Sequence, residues 1–191
     1  MSTAKKLDKQ YFSYADYLDL KDDQRREIID GTVYNMSPAP RPIHQELSGK
    51  FYRQIANFLK GKDCRVYSAP FDVRFIDTVD KDKFVHNVVQ PDLSIICDKN
   101  KIDDRGCKGS PDWIIEILSP STAKNDLQLK FKLYEKFGVK EYWIVDPIDG
   151  IVWVYKLNEN GKYYNSHRYV KGDKAKTIFE DLIIDLNDVF V

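Results

Sequence analysis

Three residues break the hydrophobic pattern around them in ways that bear on chemistry: Asp92, Glu116 and Lys130. In DWIIEILSP (112–120), strand alternation puts Trp113, Ile115 and Ile117 on one face and Ile114, Glu116 and Leu118 on the other. Both faces are otherwise apolar, as in an interior strand. A carboxylate there is costly unless it is paired or bound to a metal, so Glu116 is either half of a structural ion pair or a ligand. Asp92 follows Pro91 at the entrance to LSIIC, where alone it could simply begin a strand. Two carboxylates converging from successive strands are a different matter, because they make the hard oxygen site that Mg²⁺ prefers.

Lys130 is marked by helical phase. With residues 126–137 placed at about 100° each, Leu129, Leu133, Phe137, Tyr134, Leu127 and Phe131 form an apolar arc. Gln128, Lys132 and Lys136 fall on the opposite face, while Asp126 and Lys130 lie inside the arc. An Asp–Lys pair four residues apart can be mere helix support, but support pairs belong on the wet face. Glu27, His44, Asp72 and Tyr134 are accessory candidates. Glu27 opens a hairpin strand and is either a surface residue or an inward ligand. His44 shares a helix side with Leu47 and Phe51, Asp72 a strand face with Ser68 and Arg74, and Tyr134 either reaches a phosphate or packs.

These residues need elements to hold them. Ser13 can cap a short helix from Tyr14 to Leu20. EIIDGTVYNM (27–36) reads as a hairpin turning on Asp30-Gly31. SPAPRP (37–42) is a loop, and a helix follows from Ile43 to about Leu59. CRVYSAPFDVRF reads as a strand interrupted at Pro70, and DTVDKDKFVHN as an exposed charged excursion. VVQPDLSIIC, DWIIEILS and EYWIVDP are strongly β, the last two separated by a helix from about Thr122 to Phe137 that stops at Gly138. That strand–helix–strand unit favours parallel pairing. IVWVYKL and residues 163–170 suggest an antiparallel pair, and the tail IFEDLIIDLNDVFV a last short strand or helix. The expectation is an α/β fold with α+β character: a mixed β-sheet flanked by helices, with residues 1–11 a polar arm and 12–191 a single domain.

The composition bounds the function classes. Lys+Arg and Asp+Glu each number 30, for a net charge of zero, which weighs against coating nucleic acid through a bulk positive field. The three cysteines, Cys64, Cys97 and Cys107, lack metal-ligand spacing and read as reduced residues, which with no secretory signal and no bilayer-length apolar run leads us to expect a cytoplasmic protein and no membrane partner.

The order EIIDG, SPAP with His44, APFDV, VQPDL, IIEILSPST, the helix bearing Asp126, Lys130 and Tyr134, and GVKEYWIVDP resembles the Uma-type family of restriction endonucleases, within the PD-(D/E)XK nuclease superfamily. The resemblance covers about residues 12–155. It implies a restriction-endonuclease-like core, with Asp92 matching the PD aspartate and Glu116 the second acidic residue. Two residues after Glu116, where the superfamily has its lysine, stands Leu118, and Lys130 is the position whose helical phase fits instead. Glu27, His44 and Asp72 match other recurrent positions. The implied activity is DNA phosphodiester hydrolysis with Mg²⁺, or Mn²⁺ as substitute, in a protein that can be a homodimer. The alternative is an inactive module that keeps the nuclease fold to bind nucleic acid or protein. Lys5, Lys6, Lys9, Arg41 and Lys124 are candidate nucleic-acid contacts, though each reads equally as a solvated charge.

Overall fold

The computed structural model describes residues 11–20, 24–36, 40–120, 123 and 125–190, and the side chain of Ser166 is left aside. Residues 1–10 of the polar arm, most of the SPAP loop, Thr122 and Lys124 therefore lie outside the described residues.

A short helix, α1 (Tyr14–Leu18), starts at Ser13, whose hydroxyl and Asp16 form a reciprocal capping box. The hairpin β1 (Arg26–Ile29) and β2 (Thr32–Asn35) turns at Asp30 and Gly31, with φ of 46° and 72°. Two successive left-handed residues are what a tight hairpin turn requires, hence Asp-Gly. Helix α2 (Pro42–Leu59) buries Leu47, Phe51, Ile55 and Leu59 on one face. The segment expected as one interrupted strand divides at a cis Ala69–Pro70 bond into β3 (Arg65–Ser68) and β4 (Val73–Phe75). VVQPDLSIIC likewise divides into β5 (Asn87–Val89) and β6 (Leu93–Ile96) around Pro91, which cannot donate to a ladder.

Two short strands, β7 (Ile102–Asp103) and β8 (Gly106–Lys108), precede β9 (Trp113–Ile117). A π-turn over Asn125–Lys130 runs into α3 (Phe131–Lys136), and Gly138 follows with φ 75°. Then come β10 (Glu141–Asp146), β11 (Ile151–Leu157) and β12 (Tyr163–Val170). The tail supplies both expected forms: β14 (Ile183–Asp185), paired with β13 (Lys174–Lys176), and helix α4 (Leu186–Val189).

The mixed pairing is shared between two sheets. One has the order β2-β1-β5-β4-β8-β7 and the other β12-β11-β10-β9-β6-β3. The crossover prediction holds, since β9 and β10 pair in parallel. β11 and β12 are antiparallel.

Alternation along β9 divides the core. Trp113, Ile115 and Ile117 join Trp143 and Val145 against α2 and the C-terminal elements. Ile114 joins Tyr142, Ile144, Leu133 and Tyr134 against Val73, Phe75 and Val89 of the other sheet. Each such side chain contributes roughly 1.5–3 kcal/mol on burial.

Two expectations are corrected. Cys64 and Cys97 are joined in a disulfide, next to the paired residues Arg65 and Ile96 of β3 and β6; only Cys107 is a free, buried thiol. Strand register put the two sulfurs together, and a cysteine count cannot read register. The cysteines thus lend no support to a reducing compartment. Leu127, placed in the apolar arc by a 100° wheel, is 46% exposed, because the π-turn changes the angular step at that point. No helix among the described residues is long and apolar enough to cross a membrane.

Candidate active site

The β6–β9 ladder pairs Leu93 with Ile115 and Ser94 with Ile114, so continuing its register by one step sets Asp92 opposite Glu116. Both carboxylates thus lie on one sheet face. Asp92 Oδ2 accepts the Ile117 N–H at 2.8 Å and stands 3.1 Å from His44 Nε2, while the Asp92 N–H points to Glu116 Oε2 at 3.4 Å. Glu116 Oε1 accepts from Lys130 Nζ at 2.9 Å and from the Tyr134 hydroxyl at 2.7 Å. Lys130 also reaches Glu27 Oε1 at 2.9 Å and Asp126 Oδ1 at 3.4 Å.

Local structure explains the convergence. The π-turn carries Asp126 and Lys130, both buried, and Tyr134 follows one turn later in α3. The first turn of α2 brings His44 over the end of β6. β1 delivers Glu27, whose Oε1 also accepts the backbone N–H of Gln90 at 2.9 Å. Asp72 is not among these contacts. Its carboxylate instead accepts from Gln90 Nε2 at 2.8 Å and from the Tyr14 hydroxyl at 3.0 Å, which puts it one residue removed from the cluster. Gln90 was not singled out by the sequence. Its only signal there is its place two residues before Asp92, since an amide carries no charge to look misplaced.

Burial pushes the Glu116 carboxyl well above the usual range, opposed by Lys130 and reinforced by Asp126, Asp92 and Glu27. Burial works against the Lys130 ammonium, yet Glu116, Glu27 and Asp126 outweigh it and hold its pKa well above normal. The two directions are compatible, because several acids share one cation. His44 is also raised; burial opposes the shift, but the hydrogen bond and charge of Asp92 prevail. A cleft of about 840 Å³ opens over Asp92, Glu116 and Lys130.

The order of these residues along the chain, and the sheet that carries them, can be set beside known proteins. The model of the Uma2 family, described as "Putative restriction endonuclease", matches residues 13–186. The chain belongs to the Uma2 family. An uncharacterized protein of Synechocystis sp. is 26% identical over 151 residues, spanning 78% of this chain and 75% of that protein. The crystal structure of "a putative nuclease belonging to DUF820" from Anabaena variabilis superposes with a TM-score of 0.71 at 19% identity, covering 94% of this chain and 97% of that chain. At that identity the likeness shows the fold: a restriction-endonuclease-like α/β architecture, as the sequence resemblance implied. Within this Uma2 chain, Glu27, His44, Asp92, Glu116, Asp126 and Lys130 line the cleft, and Tyr134 is buried behind Glu116.

Proposed function

We propose that this Uma2-family protein is a Mg²⁺-dependent endonuclease that hydrolyses phosphodiester bonds in DNA, with Asp92 and Glu116 as metal ligands and Lys130 as the charge that meets the phosphate. One observation carries the reading: a buried ammonium held by Glu27, Glu116 and Asp126 beside Asp92, at the floor of one cleft. Carboxylates outnumber the ammonium there, and a divalent cation is the natural counter-charge for such an excess. Among the described residues no three His, Cys, Asp or Glu side chains are grouped to enclose a metal by themselves. A two-carboxylate site still suits Mg²⁺, which keeps several waters and takes phosphate oxygens. When bound, such an ion polarises the phosphate and makes a bound water more acidic.

The chain's own groups divide the remaining work. Ile117 and His44 fix Asp92 by one oxygen, and its other oxygen has no hydrogen-bond partner among the described residues. Lys130 and Tyr134 occupy Glu116 Oε1, so Oε2 is the atom turned to a cation. Lys130 is too strongly held in its charged form to be a general base. It orients the attacking water or counters charge developing on the phosphate, a role worth several kcal/mol in a dry site. Glu27 and Asp126 hold that ammonium in place, and Asp72 steadies Glu27 through Gln90.

Supercoiled plasmid incubated with Mg²⁺ or Mn²⁺ should be nicked or linearised, and Glu116→Ala and Lys130→Ala should each lose this while remaining folded. Full cleavage by either variant overturns that residue's role, and cleavage in excess chelator overturns the metal's. A silent docking module is the second reading, supported by the carboxylates' neutralisation of Lys130. Calorimetric titration with Mg²⁺ separates the two, because a silent module has no site that Glu116→Ala removes. Sedimentation tests whether the protein is a homodimer, as the family resemblance allows.

A further inference from the structure

The floor of the cleft is acidic, but its rim carries two exposed guanidinium groups, Arg25 and Arg41. Arg25 donates its Nε to Gln90 Oε1 at 2.8 Å, and Gln90 is itself buried and tied to Glu27 and Asp72. The fork of Arg25 is thereby indexed to the framework that holds Lys130, while its terminal nitrogens have no partner among the described residues. Arg41, at the start of α2, has none either. Held by Nε with its outer edge open, a guanidinium is arranged to take a phosphate.

The α2 wall of the cleft adds a second feature. Gly49 stands in mid-helix, where glycine is disfavoured, yet a Cβ there would meet nothing within 4 Å. The fold does not require this glycine, and its effect is to keep the wall flush beside Tyr52. Tyr52 is 39% exposed and Ile148, also lining the cleft, is 82% exposed. Below them the reacting groups are deep: the Glu116 and Lys130 side chains are 4% and 5% exposed.

A duplex keeps its base faces stacked inside, where Tyr52 cannot stack on them. An unpaired strand brings bases free to stack on an exposed ring such as Tyr52.

We propose that the cleft is a track for a single polynucleotide strand, including a frayed end or flap of a duplex, with phosphates gripped by Arg25 and Arg41 and a base stacked on Tyr52. This rests on the nuclease reading for what happens at Asp92 and Glu116, but binding can be read without cleavage. Fluorescence anisotropy in chelator would compare a labelled oligothymidylate with a hairpin duplex of the same nucleotide count. The single strand should bind at least about tenfold tighter. Arg25→Ala and Arg41→Ala should each lower the slope of log affinity against log salt by about 0.7, as for one lost phosphate contact on a single strand. Tyr52→Ala should weaken binding about tenfold and Tyr52→Phe should restore it, while Gly49→Leu should obstruct the strand in a protein of unchanged circular dichroism. Equal or tighter duplex binding, or salt slopes unchanged in both arginine variants, overturns the proposal. A strand preference that survives alongside absent metal-dependent cleavage would strike the hydrolytic reading alone.

Discussion

Glu116 and Glu141 are both fully interior carboxylates on neighbouring parallel strands, at 3% and 0% exposure, yet only Glu116 lines the cleft. Glu116 faces Asp92, Asp126, Glu27 and Lys130 and opens on the cleft. Glu141 accepts a hydrogen bond from Trp143 Nε1 at 2.7 Å, lies 3.4 Å from Lys156 Nζ, and forms no part of the cleft wall. Burial raises both carboxyls, Glu141 to about 7, with Lys156 and Trp143 opposing. A displaced pKa therefore does not distinguish chemistry from architecture here. What distinguishes them is company: several carboxylates converging on one ammonium under an open volume, against one carboxyl closed in by an indole and a lysine.

Four changes would break or sharpen that contrast. The largest effect is expected from Glu116→Gln, which should reduce metal-dependent cleavage by roughly a thousandfold or more, as losses of central electrostatic groups do; a plasmid-nicking time course reads it. Glu141→Gln should leave cleavage unchanged and alter the pH dependence of stability instead. A folded-state carboxyl raised to about 7 binds a proton that the unfolded chain releases near the ordinary glutamate value. Its contribution is thus present at low pH and lost as pH rises to about 7, a difference of about 3 kcal/mol that the glutamine variant should flatten in thermal melts. Tyr134→Phe removes one donor from buried Glu116 and should cost about 1–2 kcal/mol of stability with a partial loss of activity. Lys156→Met takes the cation from beside the fully buried Glu141 and should cost about 1 kcal/mol of stability while leaving cleavage unchanged, read by denaturant titration. A cleavage defect in Glu141→Gln as deep as in Glu116→Gln would erase the distinction.

The sequence marked one of these two glutamates and passed over the other for a physical reason. In WIIEI the carboxylate interrupts an apolar strand in its middle, whereas Glu141 stands at the start of EYWIVD, where a charged residue reads as a strand entrance. Lys130 was legible because Lys132 and Lys136 lie on the opposite side of the same helix and are exposed, as solvated lysines should be. The same wheel misplaced Leu127, since it assumed an α-helical step across a π-turn. Glu27, left open between surface and interior, is decided by its contact with Lys130, which joins residues 103 positions apart in the chain.

The sequence by itself determined the local and periodic features: the capped α1, the Asp-Gly hairpin, the amphipathic α2, the parallel β9–β10 crossover and the inward faces of Glu116 and Lys130. These follow from steric and hydrophobic preferences acting over a few residues, or one helical turn. Only the tertiary structure decided which strands share a sheet, that Cys64 meets Cys97, that Gln90 ties Arg25, Glu27 and Asp72 into one framework, and that Glu141 is closed in while Glu116 opens on a cleft. Each of those depends on register between segments distant in sequence, where a slip of one residue would turn every side chain of a strand to its other face.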